Sequence, residues 1–171
     1  EFYFLDRNNE IYELTELVIP SNITSIGDNQ FYGFNNITKV SIPEGVTNIG
    51  SNAFNNCINL ESVKLPSTIT SIKDSAFYQC YKLKDIQLPS TITYMGSEVF
   101  AYCESLETID IPTGIEKVSM LSFAGCTSLK KIVIPDNIYS IDLSAFSGCT
   151  NLTSVELSDT VVEIENSAFA N

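Results

Sequence analysis

Apolar and polar positions along the chain repeat with a fixed period of 23 residues. The most regular column of this repeat is aromatic. Its members are Phe31, Phe54, Phe77, Phe100, Phe123, Phe146 and Phe169. A fixed period indicates one structural unit that is repeated and stacked on itself, so the pattern predicts a solenoid. One unit cannot bury its apolar face alone, and each must therefore cover its neighbour.

The other columns define the repeated unit as L-x-x-[IV]-x-[IL]-P-x-x-[IV]-x-x-I-x-x-x-A-F-x-x-C-x-x. Six full units run from Leu14 to Asn151, and a seventh ends at Asn171, before its cysteine position. We number these units as coils 1 to 7. They begin at Leu14, Ile37, Leu60, Leu83, Leu106, Leu129 and Leu152.

The first part of each unit has the period of a β-strand with one buried face. In coil 3, Val63 and Leu65 alternate with Ser62 and Lys64. Pro66 then ends the strand, because proline has no N–H to donate to a parallel ladder. The next apolar positions of the unit are three residues apart, which favours an irregular or short extended turn across the coil.

The last part of each unit predicts one short helical turn. In coil 2, Ser51 precedes Ala53 and Phe54 and has the chemistry of a helix N-cap. The same capping column holds other residues with short polar side chains. They are Asp28, Asp74, Ser97 and Asn166.

These elements resemble the leucine-rich repeat, specifically its 23-residue BspA-like class. The stretch from Leu60 to Cys80 carries the L-x-x-V-x-L-P and A-F-x-x-C elements of that class. The resemblance implies an α/β fold, a right-handed leucine-rich-repeat solenoid. We expect a parallel β-sheet on its concave face and short helical turns or irregular structure on its convex side.

The repeat also predicts the domain organisation. Residues 14–171 form one leucine-rich-repeat domain without an internal linker, and residues 1–13 lie outside the repeat. This first segment carries apolar residues such as Phe2, Phe4 and Ile11, so we expect it to cap the open first coil. The last coil lacks such a segment, and we expect further chain or a partner to cover it.

Charge and residue usage exclude several classes of function. The net charge is −12, from 21 acidic and 9 basic residues, which repels nucleic acid and anionic lipid. No apolar run is long enough to insert into a membrane. Histidine is absent, so the chain lacks the commonest general base, and we predict no catalytic residues and no cofactor.

The five cysteines form a column of their own: Cys57, Cys80, Cys103, Cys126 and Cys149. An odd number excludes complete internal pairing, although stacked coils would bring neighbouring cysteines within disulfide range. Side chains in a ladder run parallel, so we interpret these residues as small buried hydrophobes. No C-x-x-C spacing is present, and we predict no metal site.

The candidate binding surface is the outward face of the predicted strands, where two polar columns vary from coil to coil. Its residues are Lys39, Ser41, Ser62, Lys64, Asp85, Gln87, Thr108, Asp110, Lys131 and Val133. Such a variable, mixed surface is typical of protein recognition. It is equally what a solvated face without a partner looks like.

Two local departures from the repeat offer alternative surfaces. Tyrosines fall at positions outside the core columns in coils 3 and 4, and clustered exposed tyrosines are favoured interface anchors. They are Tyr78, Tyr81, Tyr94 and Tyr102. Met120, Leu121 and Leu143 replace polar residues and predict a small apolar patch. In both cases packing against neighbouring side chains is the other interpretation.

The resemblance implies a non-catalytic protein-interaction module, part of an adhesin-like protein that is secreted or displayed on the cell surface. The partners it implies are host proteins or extracellular-matrix proteins. Two alternatives stay open at this point. One is a structural spacer that displays another domain of a longer protein, and the other is an enzyme-associated carbohydrate-binding region.

Overall fold

The computed structural model describes residues 14–171, and within them the chain forms two ladders of short parallel strands. Strands are numbered in chain order. The first ladder contains β1 (Glu16–Val18), β3 (Lys39–Ser41), β5 (Ser62–Lys64), β7 (Asp85–Ile86), β10 (Lys131–Val133) and β12 (Ser154–Glu156). The second contains β2 (Ser25–Ile26), β4 (Asn48–Ile49), β6 (Ser71–Ile72), β8 (Tyr94–Met95), β9 (Lys117–Val118), β11 (Ser140–Ile141) and β13 (Glu163–Ile164).

The first ladder confirms the strand predicted from the alternating pattern. Val40 of β3 pairs with Leu17 of β1 and with Val63 of β5, so each residue meets its equivalent 23 positions away. These three side chains are buried, whereas Lys39 and Lys64 point to solvent. The repeat therefore sets the register, since a slip of one residue would expose the whole apolar column.

The second ladder contains the apolar residues that follow each proline. Its strands have only two residues, and the inward one, such as Ile49 or Ile72, is fully buried. The expected short extended segment is thus present. It is regular enough to pair with its equivalents in the neighbouring coils.

The predicted helical turns are wrong: residues 14–171 contain no helix. In coil 2 the backbone makes consecutive turns, and Asn52 and Asn56 both adopt positive φ angles near 56–59°, which a right-handed helix cannot accommodate. Alternate N–H groups leave the segment for the next coil, as Phe54 N–H does to the Ala76 carbonyl at 2.8 Å. The α/β assignment therefore does not hold.

The expected N-cap residues act between coils instead. Asp28 Oδ1 accepts a hydrogen bond from the N–H of Ser51 at 2.8 Å, and Asp74 Oδ1 accepts one from Ser97 at 2.9 Å. Each acceptor lies 23 residues before its donor, so the carboxylate binds the next coil rather than the start of a helix in its own coil.

The phenylalanine column forms a continuous stack through the core. Adjacent ring centroids are 5.2–5.6 Å apart, and the five central rings, from Phe54 to Phe146, are fully buried. The five cysteines lie beside the stack as buried free thiols, which confirms that interpretation. Cys80 Sγ, for example, donates to the Phe54 carbonyl oxygen at 3.2 Å. The proposed cap formed by residues 1–13 lies outside the described residues.

Both strand ladders are interrupted between coils 4 and 5. The second ladder resumes with β9 in coil 5, whereas the first has no strand in coil 5 and resumes with β10 in coil 6. At every other coil junction in residues 14–171, the residue equivalent to Glu116 donates its N–H across the junction, as Thr70 does to Thr47 at 2.9 Å. Glu116 N–H makes no such bond to Thr93. Glu107 and Ser119 likewise lack the inter-coil backbone bonds of their equivalents. We call this interruption the break.

Gly114 lies at the break. In other coils its column holds Thr68, Thr91 and Asn137, whose side chains donate to a carbonyl of the preceding coil. Gly45 of the same column also lacks this bond, yet both ladders are continuous there, so the missing bond alone does not explain the break. Gly114 differs in its close approach to coil 4: a β-carbon there would lie 2.3 Å from the Ile92 oxygen, whereas one at Gly45 would meet nothing within 4 Å. We call the consecutive turns that end each coil the turn segments. Their hydrogen bonds between coils and the phenylalanine stack continue across the break unchanged.

Candidate functional site

Six of the ten predicted binding residues surround one shallow depression of about 440 Å³ on the first ladder. They lie in coils 2 to 4 and are Lys39, Ser41, Ser62, Lys64, Asp85 and Gln87. Five of them belong to β3, β5 and β7, whose backbones are fixed by the parallel ladder, and Gln87 directly follows β7. The depression therefore presents its side chains from a rigid frame.

Charges of both signs line this depression. Lys39 and Lys64 contribute two ammonium groups, and Glu16 and Asp85 contribute two carboxylates. None of these four groups forms an ion pair within residues 14–171. They are exposed and free to pair with charges of a partner, which favours orientation and selectivity more than raw affinity.

The remaining four predicted residues, Thr108, Asp110, Lys131 and Val133, lie beyond the break and outside the depression. Thr108 and Asp110 belong to the part of coil 5 that forms no strand. Lys131 Nζ is engaged with Glu156 Oε1 at 2.5 Å. The predicted surface is thus divided into two parts, of which coils 1 to 4 form the more continuous one.

The structure also divides the predicted tyrosine patch. Tyr78 and Tyr102 meet edge to face, with ring centroids 5.5 Å apart. Burial raises the pKa of Tyr78, and nearby Tyr102, Glu98 and Tyr81 add to the effect. These three tyrosines therefore lie together near the turn segments.

Tyr94 lies apart from them, on the second ladder, where it faces Tyr139 across a groove of about 550 Å³ at the break. We call this the tyrosine groove, lined by Tyr94, Gly96, Ser97, Glu116, Lys117 and Tyr139. Reasoning from the sequence missed Tyr139. Its column is one position earlier in the repeat than that of Tyr94, so the two share no column, and only the fold relates them.

The predicted apolar patch is exposed in part. Met120 and Leu143 expose 36% and 40% of their surface, whereas Leu121 is half-buried. This exposed area is small compared with the apolar patches that mark large interfaces.

The thiols are poorly suited to chemistry. Desolvation raises the pKa of Cys57 to about 12 and that of Cys149 to about 11, and it raises the pKa values of the three central cysteines well above their ordinary value. Thiolate is the reactive form, so these side chains are inert in the folded chain. Within residues 14–171, no group of His, Cys, Asp or Glu side chains converges as a metal site. Residues 14–171 form no helix of the length and apolar character that crossing a membrane requires.

Comparison with known families identifies the repeat. The model of the BspA type leucine-rich repeat region matches residues 8–130 and 116–171, with six copies of the repeat. The chain belongs to this family. The BspA-type repeat was predicted from the sequence and is confirmed.

Solved structures agree with this assignment. A leucine-rich repeat protein of Treponema pallidum is 26% identical, with a TM-score of 0.85 over 95% of this chain and 82% of that one. A leucine-rich cell surface protein of Faecalibacterium prausnitzii is 34% identical, with a TM-score of 0.68 over 85% of this chain and 48% of that one.

A leucine-rich repeat protein of Bacteroides ovatus is 29% identical, with a TM-score of 0.68 over 91% of this chain and 49% of that one. The chain thus spans about half the length of the last two proteins. Among curated proteins, no relative matches the chain.

Proposed function

We propose that this BspA-type solenoid is a non-catalytic protein-interaction module of a cell-surface or secreted protein, adhesin-like in role. The observation that carries the proposal is the depression on coils 1 to 4, with its unpaired charges of both signs on a rigid parallel ladder. A frame that is already ordered binds at little cost in conformational entropy. The surface location is supported by the cell surface protein of F. prausnitzii, which is similar to this chain.

The partner we propose is a protein, with host or extracellular-matrix proteins as the first candidates. The depression is lined mainly by charged and polar side chains of both signs, so it suits a protein surface with complementary charges. Charges such as Lys64 and Asp85 would pair with complementary charges of that surface. The overall charge of −12 favours a partner with a basic patch.

The experiment is a binding screen of the chain against immobilised, purified extracellular-matrix proteins, followed by two matched quadruple variants. The first variant removes side chains around the depression: Lys39→Ala, Lys64→Ala, Asp85→Ala and Gln87→Ala. The second removes equivalent outward side chains beyond the break: Thr108→Ala, Asp110→Ala, Lys131→Ala and Val133→Ala. All eight residues are exposed, so both variants should melt as the wild type does.

We expect the first variant to lose most of the binding and the second to keep it. Loss of binding in a Tyr78→Ala/Tyr102→Ala variant alone would show that the tyrosines of the turn segments are the recognition surface. If no protein of the screen binds, the chain acts as a spacer that displays another part of its protein.

A further inference from the structure

The tyrosine groove differs from the rest of the second ladder in its two exposed aromatic rings. Tyr94 exposes 51% of its surface and Tyr139 exposes 45%. They lie two coils apart, about 10 Å at the usual strand spacing. Three other coils hold serine at the position of Tyr94, and four hold threonine at that of Tyr139, as in Ser71 and Thr70. The fold therefore does not require these rings.

The groove contains two backbone groups that have no backbone hydrogen-bond partner within residues 14–171. The Thr93 carbonyl oxygen and the Glu116 N–H lie on its two sides and do not bond to each other, although their equivalents at other junctions do. Both residues line the groove and are exposed. An acceptor and a donor are thus available to a ligand at the same place.

The break is too narrow for a β-strand to enter it. Ser119 Oγ donates across it to the Met95 carbonyl oxygen at 2.8 Å, and Gly114 lies against Ile92. An extended peptide that added a strand to both free edges would have to separate these contacts. The groove instead suits a small group that both donates and accepts, and a hydroxyl does so.

The charges of the groove disfavour an anionic ligand. Lys117 Nζ is paired with Asp142 Oδ2 at 2.6 Å, and that carboxylate also accepts from Ser140 Oγ at 2.6 Å. Glu116 supplies the remaining charge, a carboxylate. With a net charge of −12 on the whole chain, an anionic ligand would be repelled.

We propose that the tyrosine groove binds a neutral saccharide. A sugar ring presents an apolar C–H face that packs on Tyr94 or Tyr139, as amphipathic aromatic rings favour. One of its hydroxyls accepts from Glu116 N–H and donates to the Thr93 carbonyl oxygen. This site is on the second ladder and is separate from the protein-binding depression on the first.

The test is an NMR titration of the ¹⁵N-labelled chain with a panel of neutral sugars. The panel contains glucose, galactose, mannose, N-acetylglucosamine and the corresponding β-linked disaccharides. We expect at least one sugar to give saturable shifts centred on the amides of residues 93–97 and 114–119. The dissociation constant expected for one such shallow site is of the order of 1 mM.

The deciding variant is Tyr94→Ser/Tyr139→Thr, because it installs residues that the same positions hold in other coils and should therefore fold normally. It should weaken binding about tenfold or more, since aromatic anchors dominate such contacts. Tyr94→Phe/Tyr139→Phe keeps both rings and should bind within about twofold of the wild type. The control is Tyr32→Ala, which removes an equally exposed tyrosine outside the groove and should change nothing.

Two results would overturn the proposal. One is the absence of saturable shifts with every sugar of the panel. The other is a set of shifts centred on residues 39–87 of the first ladder, which would assign the sugar to the depression there. Neither result bears on whether that depression binds a protein.

Discussion

At the scale of single residues, position along the stack decides what a core side chain contributes. Phe77 has a ring neighbour on each side, at 5.4 and 5.5 Å, and is fully buried. Phe169 has one ring neighbour, Phe146 at 5.2 Å, and is only partly buried. Replacing the phenylalanine therefore removes more packing contacts at position 77 than at position 169.

We expect Phe77→Ala to lower the free energy of unfolding by about 3–5 kcal/mol, because it removes a fully buried ring and leaves a cavity between two others. Phe169→Ala should cost clearly less. Urea denaturation of both variants beside the wild type checks this. Equal losses at the two positions would mean that the last coil is as well packed as the centre.

The thiols make stability depend on pH in the alkaline range. Burial raises the pKa of Cys57 from 9.0 to about 12, so the folded chain holds the thiol protonated while the unfolded chain ionises it. The stabilisation is complete below pH 9 and is lost as the pH rises from 9 toward 12. Each such thiol adds a slope of up to about 1.4 kcal/mol per pH unit.

We therefore expect the free energy of unfolding, measured by urea denaturation under reducing conditions, to fall steeply between pH 9 and pH 10.5. Cys103→Ala should be less stable at pH 7, because it leaves a small cavity, but its slope above pH 9 should be shallower than that of the wild type. An unchanged slope in this variant would show that other groups cause the alkaline loss.

At the scale of the elements, the strands could be predicted from the alternating apolar and polar residues, whereas the turns with positive φ angles could not. Val63 and Lys64 reveal the first ladder, because a strand with one buried face has a period of two. The sequence predicts a helical turn around Asn52 and Asn56, since a polar residue before Ala53 also fits an N-cap. The positive φ angles there depend on hydrogen bonds to the next coil, which no local pattern records.

The break could not be predicted either, because coil 5 keeps every apolar column of the repeat except the alanine column, which holds Ser122. At the break, Gly114 lies directly against Ile92, and Ser119 Oγ replaces one backbone bond. The candidate strand-face residues could be listed from the sequence, but their division into two groups could not. That division follows from a ladder that stops after β7 and resumes at β10.

The break should be visible in amide hydrogen exchange. Glu107, Glu116 and Ser119 lack the inter-coil bonds that their equivalents 46 residues earlier make, namely Glu61, Thr70 and Lys73. We expect the first three amides to exchange about tenfold or more faster than the second three, the factor that a net bond energy of about 1.4 kcal/mol gives. Equal protection in each pair would show that the ladders are continuous in solution.

At the scale of the whole molecule, the break separates a block of four coils from a block of three. The stability of a stacked repeat protein is approximately the sum of the coil stabilities and the interfaces between neighbours. The interface between coils 4 and 5 lacks ladder bonds on two sides and keeps the phenylalanine stack and the turn bonds. A mutation at this interface is therefore the one most able to make the two blocks unfold separately.

We expect Ser119→Ala to make the two blocks unfold separately. The variant removes the buried hydroxyl that bonds Met95 across the break and leaves that carbonyl unsatisfied, at a cost of about 1–3 kcal/mol to this one interface. We expect a broader urea transition with a lower apparent m-value, because the two blocks then unfold at different denaturant concentrations.

The matched control is Ser140→Ala, which removes a buried hydroxyl bonded within coil 6 and should shift the midpoint without changing m. Similar m-values for the two variants would mean that the phenylalanine stack and the turn bonds alone couple all seven coils into one cooperative unit.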